Sequence, residues 1–238
     1  MNGGYTIFPL GDSAATIDLG NTINESLNDK VIAMHQWMLA NSFPGLKDII
    51  VAYSSLTIIY DTGLIKQHFD PSTTVFEWIE QKLQNAFHQS TIQQINSSTT
   101  IRIPVCYASE FGMDLIGMAE EKQITVEEII HLHTDRIYRV YTIGFLPGFS
   151  YMAEVDEKLI TPRKQNPVPV AAGSVGIAGA QTGIYSLNSP GGWHIIGRTP
   201  VKQFDANTKE LIKLKVGDRV QFYGISENEY SQYENVKM

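Results

Sequence analysis

The 238-residue sequence has a single cysteine, Cys106, so it cannot form an internal disulfide bond. It also has no apolar run long enough to cross a bilayer, since the longest runs, Ile49–Tyr53 and Leu56–Tyr60, have the length of strands. The start of the chain, MNGGYTIFPLGDSA, lacks the basic and apolar regions of a secretory signal. We therefore expect a cytoplasmic protein in which Cys106 is a small buried hydrophobic residue.

Positive charge is also scarce, because 18 Lys and Arg residues stand against 25 Asp and Glu residues and leave a formal net charge of −7. Negative charge repels phosphate backbones and anionic lipids, so neither a nucleic acid nor a membrane is expected as a partner. The chain contains neither GxxxxGK[ST] nor GxGxxG, and it therefore shows no nucleotide site of its own. With 43% hydrophobic residues, it still has the composition of a folded globular protein.

The first third of the chain predicts a small α/β sandwich of the order ββαββα, which we place at residues 1–90. Two alternating segments on either side of a turn at Pro9–Asp12 predict a hairpin. Residues 49–53 and 56–60 predict two further paired strands, and Asp70–Pro71 predicts the start of the last helix. The first helix is predicted from apolar residues at spacings of three and four: Ile23, Leu27, Val31, Met34 and Met38.

A polar stretch without periodicity, Gln89–Thr100, predicts a linker, and we place a second domain at residues 100–238. Ile101–Tyr107 predicts its first strand, and the capping box Thr125–Glu128 predicts a short helix. Between Val140 and Pro200 lie 15 of the chain's 29 Gly and Pro residues, separated by short β-branched pieces. Frequent Gly and Pro residues favour short strands with tight turns, so this half is predicted to be a β-barrel or sandwich. The fold class of the whole chain is predicted to be α+β.

The most unusual stretch is Ala172–Pro200, in which glycines alternate with small, apolar and hydroxyl residues. Dense glycines permit left-handed turns whose free N–H groups can hold an anion, and the alternative is that they shape barrel corners. Arg163 and Arg198 adjoin rigid Pro or Gly elements and are candidates for carboxylate recognition, with a surface ion pair as the alternative for each. Polar side chains in and around the stretch are expected to line one cleft: His133, Tyr151, Arg163, Gln181, Thr182, Tyr185, His194 and Arg198.

A histidine pair and an aromatic segment also contain residue types that are common in metal and ligand sites. His131 and His133 would share one face of a strand, as metal ligands do, but no third ligand recurs at a diagnostic spacing, so no metal site is predicted. The segment Thr142–Tyr151 concentrates aromatic residues with turn formers and predicts a pocket lining or a contact with a neighbouring protein. Core packing of Phe145 and Phe149 is the alternative.

Four segments carry a family resemblance: GDSA (Gly11–Ala14), YTIGFLPGFSYM (Tyr141–Met152), TPR (Thr161–Arg163) and GSVGIAGAQTGIYSLNSPGGWHIIGRTP (Gly173–Pro200). Together they are similar to the family of the 5-oxoprolinase B subunit, also called allophanate hydrolase subunit 1, which includes the kinase A inhibitor of sporulating bacteria. The resemblance extends over nearly the whole chain. It implies a small N-terminal α/β domain followed by a cyclophilin-like C-terminal β-barrel.

The resemblance implies a protein that is inactive alone and acts with two others, a larger, cyclophilin-like C subunit and an A subunit. The complex would hydrolyse 5-oxo-L-proline to L-glutamate and consume ATP, which is expected at the complex and is not shown by this chain. Arg163 or Arg198 would then bind the substrate carboxylate, the Gly173–Gly183 backbone would bind an oxyanion, and His133 or His194 would transfer protons. The candidate catalytic residues are His133, Arg163, Gln181, Tyr185 and Arg198. The candidate substrate-binding residues are Tyr151, Gly173, Thr182 and His194.

A second hypothesis drawn from the same resemblance is regulatory. The chain would bind the helical dimerisation region of a sporulation-type histidine kinase and block its autophosphorylation, with the aromatic segment Thr142–Tyr151 gripping a helical hairpin. A prolyl isomerase, suggested by barrel shape alone, ranks last because likeness of fold does not transfer activity.

Overall fold

The computed structural model describes residues 4–69, 73–92, 99–208 and 211–235, and it divides the chain into two compact units, residues 1–96 and 97–238. Each unit has a hydrophobic core of its own, as expected of a domain. Within the described residues, no helix is both long and apolar enough to cross a membrane.

The N-terminal unit packs its helices on one face of a four-stranded antiparallel sheet with the strand order β1-β2-β4-β3. Its described elements are, in chain order, β1 (Thr6–Pro9), β2 (Ala14–Asp18), α1 (Glu25–Ala40), β3 (Leu46–Val51), β4 (Ser55–Tyr60), α2 (Thr62–Lys66) and α3 (Val75–Gln89). This order confirms the predicted ββαββα arrangement, to which α2 is a short addition. The apolar stripe predicted for α1 is buried in the core at Val31, Met34 and Met38.

Helix α3 begins at Val75, later in the chain than predicted. Thr74 caps it, since its hydroxyl accepts a hydrogen bond from Glu77 N–H at 3.1 Å while Glu77 Oε2 accepts one from Thr74 N–H at 2.8 Å. Asp70–Pro71, the predicted start of this helix, lies outside the described residues, as do residues 93–98 of the predicted linker.

The C-terminal unit is built around a closed barrel of seven strands, in the order β10-β7-β6-β13-β5-β12-β9. Its described elements are, in chain order, β5 (Ile101–Cys106), α4 (Leu115–Lys122), α5 (Val126–Thr134), β6 (Ile137–Ile143), β7 (Ser150–Ala153), β8 (Val168–Val170), β9 (Ser174–Ala178), β10 (Gln181–Ile184), β11 (Ser189–Gly191), β12 (His194–Arg198), β13 (Arg219–Ile225) and α6 (Glu227–Asn235). Strands β8 and β11 form a separate two-stranded antiparallel ribbon. The predicted α+β class, with a barrel as the second half, is confirmed.

The glycine-dense segment forms part of the barrel wall. Val175 of β9 and Ile184 of β10 are cross-strand partners that belong to the barrel core, whereas the next pair along, Gly176 and Gly183, faces outwards. A Cβ atom built on Gly183 would lie 3.1 Å from the ring of Trp193, and one on Gly176 would lie 3.1 Å from the Trp193 Cβ. The absence of two side chains therefore makes room on the outer wall for this indole.

Candidate functional site

Helix α5 carries His133 into the interior of the barrel. The His133 Nδ1 atom lies 2.8 Å from the Tyr107 hydroxyl, and its Nε2 atom lies 2.9 Å from the Thr182 hydroxyl. The imidazole also stacks on Phe222, with 4.6 Å between the ring centroids. Burial lowers the pKa of His133 to about 3, so this residue is neutral at neutral pH and both its nitrogens are engaged with other side chains.

This arrangement corrects the prediction for two site residues. His133 and Thr182 are both 0% exposed, so neither is placed to meet a substrate or to transfer a proton at the surface. His131 and His133 lie on a helix and not on a strand, so they do not share a face as the metal-ligand pattern required. Within the described ranges of the chain, no group of three or more His, Cys, Asp or Glu residues is placed to hold a metal ion.

The backbone of Gly173, predicted to bind substrate, is used by the fold. Its N–H donates to the Tyr185 carbonyl at 2.7 Å, and its carbonyl accepts from Thr199 N–H at 2.9 Å. Gly173 has a φ of +82°, and a Cβ atom there would collide with the Thr199 carbonyl oxygen. Gly179 likewise donates its N–H to the Thr161 carbonyl, at 2.6 Å. These glycines shape barrel turns, so the predicted backbone oxyanion site is corrected to the structural alternative.

A second hydrophobic cluster lies on the outer wall of the barrel, and three of the predicted site residues belong to it or border it. Tyr185 packs edge-on to Phe149 at 5.0 Å, and Phe149 packs edge-on to Trp193 at 5.4 Å. Tyr151 contacts the same indole, with 5.7 Å between the ring centroids. The guanidinium of Arg163 lies over the Trp193 ring, 5.9 Å from its centroid. The outer cluster therefore brings Tyr151, Arg163 and Tyr185 together.

The aromatic segment Thr142–Tyr151 mainly packs into this outer cluster. Phe149 is only 1% exposed, which confirms core packing for that residue. Phe145 is different, because it is 63% exposed and touches the cluster only edge-on, at Phe149 and Tyr185. A single exposed ring is a small surface, and it does not by itself favour a helical partner.

The phenols beside Arg163 are hydrogen-bond donors at neutral pH. Burial raises the pKa of Tyr151 and of Tyr185, and the positive charge of Arg163 opposes the rise at both residues. Each phenol therefore keeps its proton at neutral pH. Tyr185 is only 1% exposed, so the accessible groups are the Arg163 cation and the Tyr151 phenol, a combination that suits the binding of negative charge better than the removal of a proton.

The loop that carries Arg163 is fastened on both sides of that residue. His194 Nε2 lies 3.1 Å from the Pro162 carbonyl oxygen, and Lys164 N–H donates to the Gly192 carbonyl at 2.8 Å. His194 is predicted from the sequence to bind substrate, and the structure shows it holding the residue that precedes Arg163. The guanidinium is therefore presented by a short segment with limited freedom.

Sequence reasoning missed the ion pair that completes this attachment. Lys164 Nζ lies 2.7 Å from Asp114 Oδ2, and the same oxygen accepts a hydrogen bond from Ile195 N–H at 2.6 Å. Asp114 directly precedes helix α4, but its side chain makes no capping hydrogen bond to that helix. Asp114 and Lys164 are 50 positions apart, so no local pattern in the sequence indicates that they form a pair.

Arg198 lines a groove that none of the other predicted site residues lines. The groove has a volume of about 520 Å³, and Pro169 and Pro190, cross-strand partners in the β8–β11 ribbon, form one of its walls. Val168, the neighbour of Pro169, packs against the outer cluster, so the ribbon contributes to both places. The guanidinium of Arg198 lies over the ring of Phe111, 5.2 Å from its centroid.

Neither Arg163 nor Arg198 forms an ion pair with any described residue, although the chain is acidic overall. The alternative interpretation of these arginines as surface ion pairs therefore does not describe them. Arg136 shows the contrast, since its guanidinium binds Asp156 at 3.0 Å. Each of the two guanidiniums lies over an aromatic ring.

Gln181, the remaining candidate, is the first residue of β10, where it pairs with Ala153 and Ala178. It lies at the opposite end of this strand from Tyr185, which follows Ile184. The expectation that all the polar candidates line one cleft is therefore replaced by separate locations: the barrel interior, the outer cluster, the groove and the far end of β10.

A larger cavity, of about 600 Å³, is lined by Cys106, Tyr107 and the residues that open helix α6, and by none of the predicted site residues. Cys106 is 1% exposed, which confirms it as a buried residue. Burial raises the pKa of its thiol, and Glu227 and Glu110 raise it further, so the thiolate that a nucleophile needs is disfavoured.

Comparisons with known proteins agree on one family. Residues 5–214 match the family described as the carboxyltransferase domain, subdomain C and D. The chain is 38% identical over 232 residues to the B subunit of 5-oxoprolinase from Bacillus subtilis (strain 168), covering 97% of each protein.

Two solved structures share the fold over most of this chain. The crystal structure of TTHA0988 is 31% identical with a TM-score of 0.75 over 93% of this chain, which spans only 40% of that chain. The urea carboxylase of Kluyveromyces lactis has a TM-score of 0.76 over 96% of this chain and 22% of that one, but at 16% identity it shows a shared fold alone.

Proposed function

Since the chain belongs to the family of the 5-oxoprolinase B subunit, we propose that it is the B subunit of an ATP-dependent 5-oxoprolinase. The observation that carries this proposal is the 38% identity over 97% of both proteins with the corresponding protein of Bacillus subtilis. A match of that extent relates whole proteins and not one shared domain. In the reaction, water oxygen bonds to the lactam carbonyl carbon of 5-oxo-L-proline, the C–N bond breaks, and the nitrogen takes a proton to give L-glutamate.

We propose that the chain works only in a complex with the C and A subunits. A lactam amide is unreactive in water, and ATP bound at the complex would supply the activation of its carbonyl oxygen. The sequence has no phosphate loop or dinucleotide fingerprint, which is consistent with a site that needs other proteins. The contribution of this chain would be to bind and orient the substrate and to stabilise negative charge.

The two unpaired arginines suit that contribution. The substrate brings a carboxylate, and opening the ring places developing negative charge on the carbonyl oxygen. Arg163 and Arg198 are cations without an ion-pair partner among the described residues, Tyr151 adds a neutral donor beside Arg163, and Tyr185 is buried in the outer cluster. Their roles in the reaction, and that of Gln181, stay predictions.

The proposal is tested by reconstitution. The chain is co-expressed with the C and A subunits from the same genome, and glutamate formed from 5-oxo-L-proline is measured with and without ATP. We expect ATP-dependent turnover by the complete complex and none when this chain is left out. Turnover by the two other proteins without this chain, or no turnover by the complete complex, would contradict the proposal. Inhibition of a histidine kinase by the isolated chain would instead support the regulatory hypothesis.

A further inference from the structure

The groove beside Arg198 offers donors to a ligand and no negative charge. Its described lining contains no acidic side chain, in a chain that has 25 Asp and Glu residues. The side-chain oxygen of Asn188 already accepts a hydrogen bond from Ala172 N–H at 2.7 Å, which leaves the amide nitrogen as its donor. The Ser189 hydroxyl is buried and has no hydrogen-bond partner among the described residues. These groups favour an electron-rich ligand such as a carboxylate or a carbonyl oxygen.

The guanidinium of Arg198 is held in place at this groove. It lies over the ring of Phe111, and a Cβ atom on Gly173 would lie 3.2 Å from the Arg198 Cγ, so the stem passes close to the Gly173 turn. Its Nε atom is buried without a partner among the described residues. The terminal nitrogens are therefore the edge that a ligand in the groove can reach, and that edge matches the two oxygens of a carboxylate.

The rest of the lining suits a small ligand with an apolar ring. Met113, Pro169 and Pro190 give the groove aliphatic walls. Its volume of about 520 Å³ lies within the range of roughly 300 to 1,000 Å³ that is usual for small-molecule sites. A compact cyclic acid would place its ring against the prolines and its carboxylate on Arg198.

We infer that this groove is the carboxylate-binding subsite of the substrate, with Arg198 as the residue that binds the carboxylate. The inference rests on the proposed function for the identity of the acid as 5-oxo-L-proline. The class of ligand, a compact cyclic carboxylic acid, rests on the groove itself. The resemblance left open whether Arg163 or Arg198 binds the substrate carboxylate. Arg163 lies over Trp193 and lines neither described cavity, so the inference assigns this role to Arg198.

The experiment measures binding, with probes that differ by one group. 5-Oxo-L-proline and 2-pyrrolidinone, which lacks the carboxylate, are titrated into the full chain and into its complex with the C and A subunits, followed by ligand-observed NMR and calorimetry. We expect 5-oxo-L-proline to bind at least about tenfold more tightly than 2-pyrrolidinone, and Arg198→Gln to remove that preference. Arg198→Lys keeps the positive charge but loses the two parallel N–H groups that can bind both carboxylate oxygens, so this variant should retain part of the preference.

A matched control is available in Arg102, whose guanidinium lies over the Tyr223 ring at 4.8 Å and which lines neither described cavity. Arg102→Gln should bind both probes as the unmodified protein does. In steady-state assays of the complex, Arg198→Gln should raise the KM for 5-oxo-L-proline more than it lowers kcat.

The inference is overturned if neither the chain nor the complex binds 5-oxo-L-proline, if Arg198→Gln keeps the preference for the carboxylate, or if Arg163→Gln alone abolishes it. Failure of the proposed function has a different signature. In that case the complex shows no ATP-dependent turnover, while the carboxylate preference and its loss in Arg198→Gln are still measured.

Discussion

The inner and outer sides of the barrel wall both carry polar residues, but they use them differently. Inside, His133 engages both ring nitrogens, with Tyr107 and Thr182, and has no capacity left for a ligand. Outside, Arg163 and Arg198 rest on aromatic rings and have no ion-pair partner among the described residues. The comparison teaches that the side of the barrel wall on which a polar side chain lies, whether a helix, a loop or a strand carries it, decides whether the group stabilises the core or is available at the surface.

The largest expected effect on stability comes from adding a side chain to a glycine of the barrel strand β10. Gly183→Ala would place a Cβ atom 2.8 Å from the Ser150 carbonyl oxygen and 3.1 Å from the Trp193 ring. Because the nearest atom belongs to the backbone, we expect the free energy of unfolding to fall by about 3 kcal/mol. Urea unfolding followed by circular dichroism measures the loss, and the tryptophan fluorescence of a Trp37→Phe, Trp78→Phe background reports displacement of the Trp193 indole.

Gly117→Ala is the matched control, since a Cβ atom there has nothing within 4 Å and the residue lies inside helix α4. That variant should gain about 0.5 to 1 kcal/mol. Equal effects of the two substitutions would show that Gly183 is not needed for packing on the outer wall.

The second prediction concerns the interior. The unfolded chain binds a proton at His133 near pH 6.5, whereas the folded chain does so only near pH 3, so this residue lowers stability as the pH falls through that window. The effect amounts to about 2 kcal/mol between roughly pH 6 and pH 4.5. His133→Gln should remove that part of the pH dependence of the free energy of unfolding.

His131→Gln is the control for this measurement, because His131 is exposed on the same helix and lies outside the buried network. It should leave the pH dependence as it is in the unmodified protein. If His133→Gln also leaves it unchanged, the imidazole is accessible to protons and the interior network does not shield it.

The smallest expected effect on the free energy of unfolding comes from breaking an ion pair, and two ion pairs of the same length but different exposure are compared. Lys164 and Asp114 are 2.7 Å apart with about a fifth of each side chain exposed, whereas Lys158 and Glu128 are also 2.7 Å apart but are more exposed, at 59% and 36%. Lys164→Met should cost about 1 kcal/mol because it leaves a half-buried carboxylate without its cation. Lys158→Met should cost close to nothing, as is usual for exposed pairs.

The same pair of variants tests whether the Asp114 ion pair matters for presenting Arg163. Lys164→Met should increase hydrogen exchange in the segment around Arg163, since one of its attachments is lost. Thermal unfolding and hydrogen-exchange mass spectrometry are the measurements. Equal stability and equal exchange in both variants would show that this pair acts like an ordinary surface contact.

Much of the fold could be predicted because its signals are local. The apolar stripe with Val31 and Met34 predicts a helix at any position in a chain, and the density of Gly and Pro after Val140 predicts short strands with turns. The start of helix α3 was predicted too early for the same reason. Two local patterns that begin helices lie close together there, Asp70–Pro71 and the capping box of Thr74 and Glu77, and the helix begins after the second.

The site could be predicted only in its residue types. Arg163, Tyr185 and Arg198 stand out in the sequence as polar residues in or near an unusual stretch. The structure buries Tyr185 in the outer cluster, places Arg163 over Trp193 of that cluster and places Arg198 at the groove. His133 and Thr182 carry the same sequence signal and lie inside the barrel. No local pattern separates these cases, because they differ in which side of a closed wall the side chain faces.

By itself the sequence determined the ββαββα order of its first third, the α+β class and the resemblance to a family, since each depends on residues close together in the chain or on motifs read directly. Only the tertiary structure decided which polar groups meet. His133 and Thr182 are 49 positions apart, and Asp114 and Ile195 are 81 apart. Such contacts form when the barrel closes and helices α4 and α5 pack against it, and closure depends on the pairing of all its strands together.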